Sequence, residues 1–246
     1  MKKNVMMRLA SFLLVAVLIS TSAISGTYAK YVTSDTGSDK ARVAKFGVTV
    51  EVQENSNFSK TYENHVDDSV YVGLSVVSDV NVVAPGTSST DVGTGFTFKI
   101  TGTPEVATKI DIEMNVAKDI YLGAGTYGDP TTQATDDNFT VAAPGYYPVV
   151  FTLTDSNGNE VAKGNLAAIK TGFEAKTGTN APGVALDETY TLTWEWDFDD
   201  NGAGTNDAAD TMLGNLAANA GWNIAEVSDY STELEFDVEI SVTQID

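Results

Sequence analysis

The residues with the clearest chemical spacing are acidic. Asp197, Asp199 and Asn201 alternate and are followed by Gly202. That is the opening of a calcium loop, D-x-D/N-x-D/N-G, which sets oxygen ligands at every second position around a glycine turn. The twelfth position is Ala208, where a bidentate glutamate belongs, although Asp207 and Asp210 stand nearby as substitutes. A solvated acidic loop after a strand is the plainer reading. Calcium at Asp197, Asp199, Asn201, Asp207 and Asp210 is the sole cofactor candidate. The single histidine, His65, sits in a polar segment, and HExxH is absent, so a zinc site has no ligand set. With no cysteine the chain has neither a thiol nucleophile nor a disulfide. No phosphate-cradling glycine loop and no G-x-S-x-G elbow occur. With 34 carboxylates, spacing alone does not single out a glycosidase-type acid pair. The expectation is a protein that is not an enzyme.

A second chemical feature is a bond to be cut. Lys2, Lys3 and Arg8 precede the apolar run 9–19, and Thr27 and Ala29 place small residues at −3 and −1 of a cleavage site before Lys30. Positive, apolar and small-residue regions in that order form a secretory signal peptide. An apolar run of eleven residues is short of the ~20 that a spanning helix needs. No stable membrane insertion is therefore expected after cleavage, and nothing in 242–246 resembles a sorting or anchoring signal.

Removing 29 of 246 residues leaves 217, with 11 basic against 34 acidic side chains and a formal charge of −23. Nucleic acid and anionic membranes need a basic face, so neither is an expected partner. Stability must come from the core, which a chain of this length can build.

Period-two patterning dominates what remains. Phe46–Val52, Val70–Val83, Phe96–Ile100, Ile110–Val116, Tyr147–Leu153, Tyr190–Trp196 and Leu234–Val242 carry apolar or β-branched residues in strand-like order. Pro85-Gly86 ends the second stretch, and Asp155-Ser156-Asn157-Gly158 is suited to a hairpin turn. In the last stretch the even face is apolar and the odd face is acidic or hydroxylic, as in sandwiched antiparallel sheets. Helical spacing is confined to Gly164–Lys176 and Asp207–Ala220, the second with a break at Gly214. The expected fold is mainly β, a jelly-roll-like antiparallel β-sandwich with one or two short helices in its connections. The expected division is a signal peptide at 1–29, an N-terminal arm at 30–43 and one sandwich domain at 44–246.

Gly26-Thr27-Tyr28-Ala29 resembles the G-T-W/Y-A cleavage site of the TasA/camelysin family of secreted biofilm-matrix fibre proteins of Gram-positive bacteria. Ala41–Val50 resembles that family's first strand, Pro85-Gly86 with Phe96-Thr97-Phe98 and Gly102 an edge segment, and Phe236–Gln244 its final strand. Trp194-Glu195-Trp196 with Asp210-Thr211 and Gly214 is similar to related secreted proteins with the same type of leader. Residues 119–185 have no clear counterpart, and a lysine-rich C-terminal tail is lacking.

The resemblance implies a secreted fibre subunit, processed by an endoplasmic-reticulum-type signal peptidase (SipW). Copies would join head to tail by donor-strand exchange, in the matrix or at the cell surface. Its donor strand would be Lys30, Tyr31, Val32, Thr33 and Ser34, with 36–40 as the connector. Partners would be copies of itself and an accessory anchoring protein. The alternative is a monomeric surface adhesin or carbohydrate-binding module using Tyr146, Tyr147 or Trp222. A secreted peptidase, the activity attached to the camelysin name, has only His65 to rest on.

Overall fold

Alternating β-branched and aromatic residues become antiparallel strands in the computed structural model. It describes residues 10–18, 42–52, 58, 62–63, 77–78, 81–89, 95–130, 138–198, 206–219 and 227–245. The chain divides into two units, Met1–Val43 and Ala44–Asp246. In the first, residues 10–18 are helical (α1), with Phe12, Leu13, Leu14 and Leu18 exposed. Among the described residues no helix is long and apolar enough to cross a membrane.

The second unit contains strands β1 (Val48–Val52), β2 (Tyr62–Glu63), β3 (Val77–Ser78), β4 (Thr87–Ser88), β5 (Phe96–Gly102), β6 (Thr108–Lys118), β7 (Tyr121–Leu122) and β8 (Gly125–Gly128). It continues through β9 (Asn138–Val141), β10 (Val149–Asp155), β11 (Glu160–Gly164), helix α2 (Leu166–Glu174), β12 (Gly178–Asn180) and β13 (Leu186–Trp196). Helix α3 (Asp207–Ala217), β14 (Tyr230–Ser231) and β15 (Glu235–Gln244) complete it. A large sheet runs β1-β5-β13-β10-β11, with β4 paired to the end of β13. A smaller sheet runs β12-β6-β15, and β2–β3, β7–β14 and β8–β9 form ribbons.

The two sheets face each other across one core. Phe98, Ile100, Phe151, Leu153, Leu192 and Trp194 of the large sheet are buried, as are Ile110, Ile112 and Met114 of the small one. Phe236 of β15 points an edge at Phe96 (6.5 Å) and Phe151 (6.3 Å) of the opposite sheet. The mainly β antiparallel sandwich with short helices expected from the alternation is the fold that forms.

Local chemistry sets the element ends. The first strand starts at Val48, two residues later than the alternation suggests, because Gly47 turns the backbone to φ +54°. Of the stretch 70–83, only Val77–Ser78 is strand among the described residues. Pro85-Gly86 makes a tight turn: Gly86 has φ +80°, and the Thr87 N–H donates to the Ala84 carbonyl at 3.1 Å. Helix α2 begins where Asn165 Oδ1 accepts the Ala168 N–H at 3.0 Å, and Leu166, Ile169 and Phe173 turn inward. Helix α3 runs through Gly214 without the expected break.

The turn from β10 to β11 uses the carboxylate of Asp155, whose Oδ1 accepts from the N–H of Asn157 (2.8 Å) and of Asn159 (2.9 Å). The Asn159 side chain and backbone, then the Asn157 N–H, hold this carboxyl below its ordinary 3.8. Its contribution to stability is therefore whole above that value and is lost as pH falls through the depressed folded value. Asp155→Ala is expected to lower Tm at neutral pH, with the gap to the parent closing in acid; melting curves across pH test this. Phe151 is fully buried on a strand paired at both edges. Phe151→Ala is expected to cost about 3–5 kcal/mol in urea unfolding.

Candidate functional site

One end of the sandwich is organised around Asp210. It lies in the first turn of α3, where a carboxylate is favoured by the exposed N–H groups of the helix start. Its Oδ1 accepts the Tyr146 hydroxyl at 2.8 Å and the indole N–H of Trp196 at 3.2 Å. One oxygen thus ties the helix to the last residue of β13 and to the segment leading into β10.

Asp210 borders two cavities. The larger, about 620 Å³, is mainly apolar, with Phe58, Val83, Ile120, Trp196, Leu213 and Leu234 on its walls. The 81–85 turn forms one rim and residues 232–234, the lead-in to β15, another. Gly214 also lines it, and a Cβ built there would meet no atom within 4 Å. The smaller cavity, about 240 Å³, brings Asp197, Asp207 and Asp210 together with Asn206, Tyr146 and Tyr147.

Three of the five calcium candidates therefore share one pocket, while Asp199 and Asn201 lie outside the described residues. Among the described residues no group of three acidic or histidine side chains is arranged to hold a metal ion. Thr27, Ala29, Lys30, Tyr31, Val32, Thr33, Ser34, His65 and Trp222 also lie outside the described residues.

The second feature of the site is an open edge. On one side of the small sheet, β6 is sealed by β12 at 108–110 and then by side chains from α2 and the turn after it. The Ile112 N–H donates to Thr177 Oγ1 at 3.0 Å and the Met114 N–H to Glu174 Oε1 at 3.0 Å, while the Lys170 ammonium donates to the Met114 carbonyl. Side-chain caps of this kind blunt an edge against further pairing. The far edge of the sheet is β15, paired along its length only to β6 among the described residues. Its even residues Phe236, Val238, Ile240 and Val242 are only half-buried, and its odd residues Glu235, Asp237 and Glu239 are exposed. A long strand, half-covered on its apolar face and unpaired on one edge, is a template for a further strand.

Sequence reasoning named Asp210 and the strand at β15, but not the apolar walls of the larger cavity. The one signal for that cavity was a glycine inside a helix, read as a break.

Removing the shared acceptor leaves the Trp196 indole and the Tyr146 hydroxyl without it. Asp210→Ala is expected to destabilise the fold by about 1–3 kcal/mol, and Asp210→Asn by less, because its amide oxygen still accepts. Urea denaturation of both variants measures the difference. The chain matches no family model, no curated protein and no solved structure.

Proposed function

We propose that this chain is a secreted structural subunit of extracellular fibres, cut between Ala29 and Lys30 and assembled head to tail by its N-terminal arm. The observation that carries the reading is the ten-residue edge of β15, paired among the described residues only to β6, with its half-buried apolar face. An extended segment added there gains main-chain hydrogen bonds along the edge and covers the apolar row with alternate side chains. The contact joins different surfaces of two copies, so it propagates as a filament instead of closing into a dimer.

Charge supports the arm as the added segment. Residues 30–43 hold three basic and two acidic side chains, and cutting before Lys30 adds an α-ammonium. Residues 44–246 hold eight basic and 32 acidic ones. A cationic arm is thus drawn to an anionic body, and the attraction is screened by salt. The resemblance of the leader, the first strand and the last strand to the TasA/camelysin family points the same way. It also makes a SipW-type peptidase the processing partner and the Gram-positive cell surface the setting.

A monomeric glycan-binding surface is favoured by one observation. The rings of Tyr121 and Tyr147 stack at 5.6 Å, and the Tyr121 hydroxyl donates to Asp229 at 3.0 Å. Such a platform of aromatic faces beside a carboxylate suits sugar rings. A stable monomer in light scattering, together with glycan-array binding, would select that reading.

Protein beginning at Lys30 is expected to form filaments in negative-stain micrographs, and protein lacking Lys30–Thr36 is not. Sodium chloride near 1 M, where the screening length is about 3 Å, is expected to slow assembly. Equal filament formation with and without the arm would overturn the donor-strand mechanism.

A further inference from the structure

The cavity beside α3 adjoins the open edge. Its rim includes Thr232, Glu233 and Leu234, and β15 begins at the next residue. A strand laid along β15 therefore ends beside residues that line this cavity. Its walls are mainly aliphatic and aromatic, with Asn81, Asp210, Thr232 and Glu233 also lining it, and its volume is about 620 Å³.

Gly214 has no role in the fold that accounts for it. Glycine inside a helix costs about 1 kcal/mol relative to alanine. An alanine at 214 would fit, because beyond the helix's own backbone no atom lies within 4 Å of a Cβ placed there. Its helical backbone needs no left-handed conformation, unlike Gly86 or Gly158. What Gly214 does is keep one wall of the cavity low. That has a use if something from outside comes against α3 at this point.

Resting on the fibre reading above, we propose that this cavity seats Tyr31 from the arm of a second copy. Tyr31 is the only aromatic residue of 30–43. With Tyr31 at the mouth, the arm runs along β15 in the same direction, from the Glu235 end toward Gln244. The lengths agree. Fourteen extended residues reach about 46 Å, and the ten of β15 span about 33 Å, so the arm covers the edge and still clears its end. The tip of the arm carries the Lys30 ammonium and the new α-ammonium, and it comes to rest beside Glu233 and Glu235, carboxylates that Lys118 also pairs. Residues 32–36 then extend the ladder while Tyr31 fixes its register, since a slip of one residue would turn the ring away from the cavity.

The test compares four forms of the mature chain from Lys30 to Asp246 and a fifth lacking Lys30–Thr36, with assembly followed by light scattering and micrographs. Tyr31→Ala and Gly214→Phe, the latter filling the cavity from its open wall, are each expected to slow assembly at least tenfold. Tyr31→Phe is expected to keep most of the parent rate. Because Tyr31 belongs to the Met1–Val43 unit, its variants test the proposal even if Gly214→Phe melts early. The absence of cysteine gives a second readout. Mixing Tyr31→Cys chains with Val83→Cys chains under oxidation is expected to give a cross-linked heterodimer on a non-reducing gel, and Ser38→Cys in place of Tyr31→Cys is not. If Tyr31→Ala assembles at the parent rate while the form lacking Lys30–Thr36 does not assemble, the arm is still the donor and the seat in this cavity is wrong. If the form without the arm assembles as well, the fibre reading fails and the seat with it.

Discussion

The large sheet presents an apolar inner face of six strands, and a sheet of only three strands stands opposite it. Most of the second unit follows from that mismatch. Apolar area left uncovered loses about 25 cal/mol for each Å² exposed, so the remaining width has to be closed by something other than strands. Helix α2 closes one part of it. Phe173 reaches Phe98 at 4.9 Å and Tyr190 at 5.4 Å, so one helix side chain bridges β5 and β13. Helix α3 lies instead against the ribbon strands β7 and β9. It buries Ala209, Met212, Leu213 and Leu216 while leaving a cavity between itself, the 81–85 turn and the start of β15.

The same mismatch makes the two edges of the small sheet unequal. Where α2 lies, its polar side chains reach the backbone of β6, and hydrogen bonds that a neighbouring strand would supply come from Thr177, Glu174 and Lys170. Those contacts also hold the Glu174 carboxyl below its ordinary value, through the Lys170 side chain first and the Met114 N–H second. No helix serves the β15 edge in this way among the described residues. The acidic residues Glu235, Asp237 and Glu239 are left to keep like edges apart. Negative charge on that edge repels a second anionic body and attracts a cationic segment. One arrangement thus discourages indiscriminate pairing and favours a particular partner.

How much of this was legible in the chain depended on the scale of the determinant. Strands β5, β6, β10, β13 and β15 were readable because each repeats its apolar residues over five or more positions, and the sheet buries that face. The Asp155–Gly158 turn was readable because its chemistry is local. The short strands β7, β8, β9 and β12 were not, since Gly125, Gly128 and Gly178 weaken β8 and β12, and β7 and β12 pair with partners remote in sequence. Asp210 was noticed by its type, and its partners were not. As one of a row of acids it suggested a cation ligand, whereas its two aromatic donors come from residues 64 and 14 positions away. Gly214 suggested a helix break by propensity, yet α3 continues because its buried face outweighs about 1 kcal/mol.

An open strand edge with a half-covered apolar face is a hazard for any protein that must stay soluble during export. Sequences usually remove such an edge with proline, lysine or a bulge. Here β15 contains none of these between Phe236 and Gln244, and its only irregularity falls at Glu235/Phe236. The half-covered apolar row on β15 is therefore unexplained by the stability of one copy, as is the helix glycine over the cavity beside it. Both are explained together if the surface is completed by a segment of another copy. Under that reading, the order of events protects the chain. The tip of the arm would be free to enter the cavity of another copy only once the leader that precedes Lys30 had been cut away.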